Sequence, residues 1–127
     1  MITKELHQSL KKALVKFKEA LDFPDTEPMR ESTIQRFEYT FELAWKLMSS
    51  ILKDQSLPTH GVKNIIRESA KLGIIQNVQR WFDFALARNL ASHIYKEEIA
   101  IQVYEIAKSD FAKYIEDLLV STKKYLE

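Results

Sequence analysis

Eight consecutive residues, Arg88-Asn89-Leu90-Ala91-Ser92-His93-Ile94-Tyr95, gather a guanidinium, an amide, a hydroxyl, an imidazole and a phenol. That set suits cleavage of a phosphodiester without a metal. Histidine side chains ordinarily titrate near pH ~6.5, so His93 could take the proton of a ribose 2′-hydroxyl or give one to the leaving oxygen. Arg88 could grip a phosphate through two parallel N–H groups and stabilise charge developing on it. Asn89 and Ser92 are of a size and polarity to orient either partner.

Geometry sets a condition on this reading. Residues five apart on an uninterrupted α-helix point roughly 140° from each other. Arg88 and His93 therefore converge only where the helix ends or kinks near Ala91. Neither glycine nor proline stands there, so the break is inferred from the polar cluster and from the acidic start of the next helix at Lys96-Glu97-Glu98. With five arginines and three histidines in the chain, the spacing itself arises by chance in roughly one such chain in ten. On these residues alone, the plainer reading prevails: Arg88 and His93 cap helix ends.

Other chemistries lack their parts. There is no cysteine, which removes disulfides, thiolate nucleophiles and cysteine-based zinc sites. His7 lies on a lysine-rich helix and His60 beside a helix cap, neither with a metal-ligating neighbour, and both read as surface residues. Asp110, Glu116 and Asp117 read as a solvated or packing face. No Gly-Ser pair, Asp-x-Asp or glycine-rich phosphate loop occurs, so the chain does not carry nucleotidyl-transfer chemistry itself. No metal or cofactor is expected.

The elements that must position the cluster are helices. The chain has 127 residues, 46% of them hydrophobic and 29% charged, with two glycines and three prolines. That is one domain's length, a foldable balance, and too few breakers for an all-β fold. Leu6, Leu10, Ala13, Leu14, Phe17, Ala20 and Leu21 form one apolar stripe, with Lys11, Lys12, Lys16 and Lys18 on a solvated face. After the proline-bearing loop at residues 23–28, a second helix runs from about Met29 to Lys53 on Ile34, Phe37, Phe41, Ala44, Trp45, Met48, Ile51 and Leu52. Glu42 and Lys46 are spaced as a wet-side ion pair.

Thr59 is placed to cap a short third helix carrying Val62, Ile65, Ile66 and Leu72, which Gly73 ends. A fourth spans about Asn77 to Leu90 and buries Val78, Trp81, Phe82, Ala85 and Leu86. A fifth continues through Ile99, Val103, Ile106, Ala107, Phe111, Tyr114, Ile115 and Leu118. The expected fold is all-α: an up-and-down bundle of four main helices and one short one in a single domain, residues 1–127. Trp81, Phe84 and Tyr104 are candidates for spare apolar surface. The charged N-terminus lacks the apolar core of a signal peptide and no stretch approaches a membrane span, so the cytoplasm is the expected compartment. Net charge is +1, so any RNA contact must be local or shared with a partner.

Two segments carry a family likeness. The stretch Arg30-Glu31-Ser32-Thr33-Ile34-Gln35-Arg36-Phe37-Glu38-Tyr39-Thr40-Phe41-Glu42-Leu43-Ala44-Trp45-Lys46 closely resembles a signature of the nucleotidyltransferase substrate-binding protein family, small HEPN proteins typically encoded beside a minimal nucleotidyltransferase. The segment from Arg88 to Tyr95 resembles the family's second signature. The glycine-ended turn and Trp81 fall between the two, and the likeness covers roughly residues 5 to 125.

The resemblance implies a helical bundle that dimerises with its Arg-x-x-x-x-His segments facing each other across the two-fold. Many HEPN proteins are metal-independent ribonucleases that act as toxins. Carried over, Arg88 binds and polarises phosphate, Asn89 is the polar residue that follows it, and His93 is the acid/base. Tyr95, two residues beyond the histidine, matches a tyrosine that a partner nucleotidyltransferase can adenylylate, silencing the toxin. An older view of the family implies a non-catalytic substrate- or nucleotide-binding subunit that completes the transferase. A third reading is a helical dimer whose polar cluster only stabilises an interface.

Overall fold

The structure, a computed structural model, describes residues 2–126. It is all-helical: α1 (Ile2–Ala20), α2 (Glu27–Asp54), α3 (Gly61–Leu72), α4 (Val78–Leu90) and α5 (Glu97–Ser121), with 3₁₀ turns at Ala91–His93 and Lys123–Tyr125. The expected helical bundle is present, with boundaries within two or three residues of those expected. None of its helices is long and apolar enough to cross a membrane among the described residues.

The longest helix, α2, touches all four others. Pro28 in its first turn needs no hydrogen-bond partner for its nitrogen, and Thr26 ahead of it is extended. Thr33 and Thr40 sit inside the helix because their hydroxyls donate to the carbonyls of Met29 (2.9 Å) and Arg36 (2.6 Å). At its end Ser56 adopts a left-handed conformation (φ 59°). Leu57 N–H then donates back to Leu52 O at 2.8 Å and Ser56 N–H to Lys53 O at 3.0 Å, a pairing usually built around glycine. Gly73 ends α3 in the same way at φ 91°, with Ile74 N–H donating to Ser69 O.

The core centres on Phe111 of α5, which meets Phe37 (ring centroids 4.6 Å), Phe84 (5.1 Å) and Phe17 (5.3 Å) edge-on. Three helices are thereby fixed against α5 at one level. Phe84 is fully buried, and Trp81 and Tyr104 are buried too, which corrects the expectation that these three supply spare surface. Leu86, expected inside, is 52% exposed. On α4 the changes at Phe84 and Leu86 have one cause. The inward face of α4 runs Trp81, Phe84, Ala85 and then Arg88, a spacing of three, one and three, whereas the sequence pattern favours Phe82 and Leu86.

Two further expectations change. His7 is only 5% exposed and its Nε2 lies 2.9 Å from the carbonyl oxygen of Leu119, so it ties α1 to the end of α5 rather than facing solvent. His60, exposed as expected, takes the N-cap position of α3 in place of Thr59, without a side-chain cap bond. Asp110 receives a fork of bonds from the Arg80 guanidinium (2.8–3.0 Å), and Asp117 pairs with Lys113. The acids of α5 are thus packing and surface groups, as expected.

Candidate functional site

The helix break required by the Arg88–His93 spacing exists. α4 ends at Leu90 and the chain tightens into a 3₁₀ turn over Ala91–His93 without glycine or proline. Leu90, Ala91 and Ile94 all keep right-handed helical angles, so the change is one of pitch. A 3₁₀ turn advances 120° per residue rather than 100°. Lys96 N–H then closes on His93 O at 3.1 Å, and Glu97 and Glu98 open α5. Ala91 is buried and pins the turn to the core, which leaves Ser92, His93 and Tyr95 outward.

Arg88 lies at the other end of this segment on the inward-leaning face of α4. Its Nη1 donates to the Glu42 carboxylate of α2, and its Nε donates to Asn89 Oδ1 at 3.2 Å. The guanidinium carbon sits 5.6 Å from the centroid of the Phe41 ring, within cation–π range. The ion pair is only part-exposed, the side chains of Arg88 and Glu42 being 25% and 33% accessible. It joins residues 46 apart in sequence, and so links the two segments that carry the family likeness. The wet-side pair expected between Glu42 and Lys46 does not form; Glu42 turns to Arg88 instead.

His93 and Tyr95 make a second cluster. His93 Nδ1 is 3.3 Å from the Tyr95 hydroxyl, with the rings edge-on at 5.9 Å. Tyr95 is 76% exposed, so its hydroxyl is open to chemistry. Ser92 Oγ donates to Asn89 O at 3.2 Å, closing the turn between the clusters. The site is therefore one turn with two ends, an anchored guanidinium and an open imidazole–phenol pair. Arg88 and His93 make no hydrogen bond to each other among the bonds described.

Sequence reasoning missed Glu38, Phe41 and Glu42 as neighbours of this site. Glu38 and Glu42 are one helical turn apart on α2, and that spacing was the available signal. Burial pushes the Glu38 carboxyl above the ordinary carboxylate range, and the nearby charge of Arg88 partly opposes this. A carboxyl whose folded value is raised contributes stability below its unfolded value, and that contribution is lost as pH rises through the folded value. Glu38→Gln should therefore raise the melting temperature at pH 7 relative to wild type. The gain should vanish below pH ~4, where the wild-type carboxyl is also neutral. Paired thermal melts at the two pH values check this; a gain equal at both would assign the effect to packing.

No group of three or more histidine, aspartate or glutamate side chains is arranged to hold a metal among the described residues. A surface cavity of about 580 Å³ lies between the α3–α4 loop and the second half of α5. Its lining includes Asn77 and Tyr114 but no residue from Arg88 to Tyr95.

Comparison with known proteins places the chain in a family and finds relatives along most of its length. Residues 5–124 match the model of the nucleotidyltransferase substrate binding protein like family. A curated relative from Haemophilus influenzae, named as a probable ribonuclease HepT, is 32% identical over 99 residues, 74% of this chain. The match spans 62% of that relative's length. A crystal structure of a protein from Thermus thermophilus superposes with a TM-score of 0.82 at 29% identity, over 90% of this chain and 98% of its own. A Haemophilus influenzae structure, described as revealing the fold of a substrate binding domain of a nucleotidyltransferase, superposes with a TM-score of 0.67 at 27% identity. It covers 94% of this chain and 95% of its own. Two signatures in order, joined through Arg88 and Glu42, on a bundle shared end to end with solved relatives, leave one assignment: this chain belongs to the nucleotidyltransferase substrate-binding protein family.

Proposed function

We propose that this chain is the toxin-like member of a pair with a minimal nucleotidyltransferase, a cytoplasmic single-domain endoribonuclease that needs no metal and that its partner silences. The observation that carries the reading is the pairing of an open Tyr95 hydroxyl with His93, 3.3 Å away, one turn from an anchored Arg88. In the proposed reaction the ribose 2′-oxygen bonds to phosphorus and the 5′-oxygen leaves, giving a 2′,3′-cyclic phosphate and a 5′-hydroxyl. His93 takes the 2′ proton or returns one to the leaving oxygen. Arg88 holds the phosphoryl oxygens as charge builds on them, with Asn89 fixing its Nε edge and Ser92 supporting the turn. Two copies related by a two-fold axis would supply one composite groove for RNA. Adenylylation of Tyr95 by the partner would put a charged phosphodiester against His93 and stop the reaction.

The name of the Haemophilus influenzae relative as a probable ribonuclease supports the activity, and the family supports the partner. The test is incubation of the purified protein with RNA in the presence of a chelator, before and after treatment with the adjacent nucleotidyltransferase and ATP. The expected result is cleavage to cyclic-phosphate ends that disappears after treatment, with a mass increase of one adenylyl group on Tyr95.

A second reading has its own support. The Haemophilus influenzae structure is described as a substrate binding domain, and a net charge of +1 supplies little general attraction to RNA. Under that reading the chain is a non-catalytic binding subunit of a two-component nucleotidyltransferase. It would then form a stable complex with the transferase and cleave no RNA at any concentration.

A further inference from the structure

We propose that Glu42 is the positioning residue of this site: its carboxylate fixes the Arg88 guanidinium so that Nη2 is the group presented to a phosphate. The inference deepens the ribonuclease reading and rests on it for its kinetic part.

Arginine has five N–H groups in a planar fork. In Arg88, Nη1 is engaged by Glu42 and Nε by Asn89 Oδ1, while Nη2 has no protein partner among the described residues. Phe41 lies against the guanidinium, which opposes flipping of the plane. Arg88 stands two residues before the end of α4, where backbone order alone leaves a long side chain free. A free arginine side chain samples many rotamers. Glu42 comes from the middle of α2, the helix that touches every other one, and so transmits the rigidity of the core to a group at the rim.

The charges make the role testable. Glu38 and Glu42 together place two carboxyls near one guanidinium, so the local field opposes a phosphate. A pair selected to attract RNA would not be built this way. A pair that exchanges binding strength for orientation would. Removing the Glu42 charge should therefore strengthen phosphate binding and weaken catalysis together, because interactions made equally with substrate and transition state do not raise the rate. A structural role would weaken both. A simple inhibitory latch would strengthen both.

The experiment compares wild type, Glu42→Gln and Arg88→Gln on three readouts. The first is the 15N NMR signal of the Arg88 side chain, with Arg88→Gln giving the assignment. It should report a restrained guanidinium in wild type and a more mobile one in Glu42→Gln, where the charged acceptor is lost and the Asn89 and Phe41 contacts remain. The second is binding of a non-cleavable 2′-O-methyl oligoribonucleotide, expected to tighten about 3- to 10-fold in Glu42→Gln and to weaken in Arg88→Gln. The third is cleavage of the matching RNA, with kcat expected to fall about 10- to 100-fold in Glu42→Gln while KM falls or stays level. An Arg88 signal that Glu42→Gln leaves unchanged would overturn the proposal, as would a rise in kcat or a weakening of oligonucleotide binding. If wild type cleaves nothing while the first two readouts behave as expected, the ribonuclease reading fails and the positioning of Arg88 toward phosphate stands.

Discussion

Replacing His93 with alanine should lower RNA cleavage by about 10²- to 10⁴-fold, the range over which a positioned general acid or base ordinarily contributes, and should leave the fold intact. Both halves follow from where the residue stands. Its imidazole is exposed on a 3₁₀ turn and its one described polar contact is the Tyr95 hydroxyl. Substitutions at such positions usually change stability by less than ~0.5 kcal/mol, so melting temperature should move by about 2 °C or less. The turn survives because Ala91 anchors it and the Lys96-to-His93 bond uses backbone atoms. The measurement is initial cleavage rate under single-turnover conditions, paired with a thermal melt of the same sample. A variant that cleaves as fast as wild type would move the proton-transfer role elsewhere or assign the nuclease activity to a contaminant. A variant that loses activity and also melts about 10 °C lower would reduce His93 to a structural role.

The division between legible and illegible parts of this site follows from the range of each interaction. The break after Leu90 was legible because local chemistry marks it: a polar cluster on one side and helix-opening acids on the other. The apolar stripes of α1, α2 and α5 were legible because long helices repeat the pattern often enough to fix which face is inward. On α4 they were not. Thirteen residues carry Trp81, Phe82, Phe84, Ala85 and Leu86 over more than half the circumference. The choice of face was made by Phe111 and Phe41, which lie far away in sequence. That choice turned Leu86 out and Arg88 toward α2.

The Glu42–Arg88 pair was hidden for the same reason. Glu42 has a plausible partner four residues on, and local spacing cannot reveal a competitor from another helix. His7 was misread because a lysine-rich helix suggests solvent on all polar sides, whereas His7 falls in line with Thr3, Leu10 and Leu14 on the buried face. The left-handed Ser56 gave no signal at all, since serine seldom takes the position that glycine fills at α3. What joins the two family signatures is thus a tertiary contact, and the sequence displays its two ends without the bond between them.

Phe111→Ala should destabilise the protein by about 3–5 kcal/mol, the usual cost of truncating a buried phenylalanine, and by more than any surface change at the site. The size follows from how the cavity would be walled. Phe17, Phe37 and Phe84 meet the Phe111 ring edge-on within 5.3 Å, and they come from α1, α2 and α4. Collapse into the space would require three helices to move together, and the remaining rings are held by their own contacts: Phe37 stacks on Phe41, and Phe84 packs against Trp81 and Tyr114. Little relaxation is available, so the cost should fall toward the upper end.

Small domains are stable by only about 5–15 kcal/mol, so this one change removes a large share of the total and should lower the melting temperature by roughly 10–15 °C. Urea denaturation at equilibrium checks it: the midpoint should fall while the slope stays near that of wild type. The effect should reach the site as well. Phe84 and Arg88 lie four residues apart on one face of α4, and a looser Phe84 loosens the helix that presents Arg88 to Glu42. Hydrogen exchange should therefore speed up at the α4 amides before it does so along α3, which contributes no ring to this cluster. A loss below about 1 kcal/mol would mean that the helices do close over the space, and that α4 is held against the bundle by something other than its aromatic face.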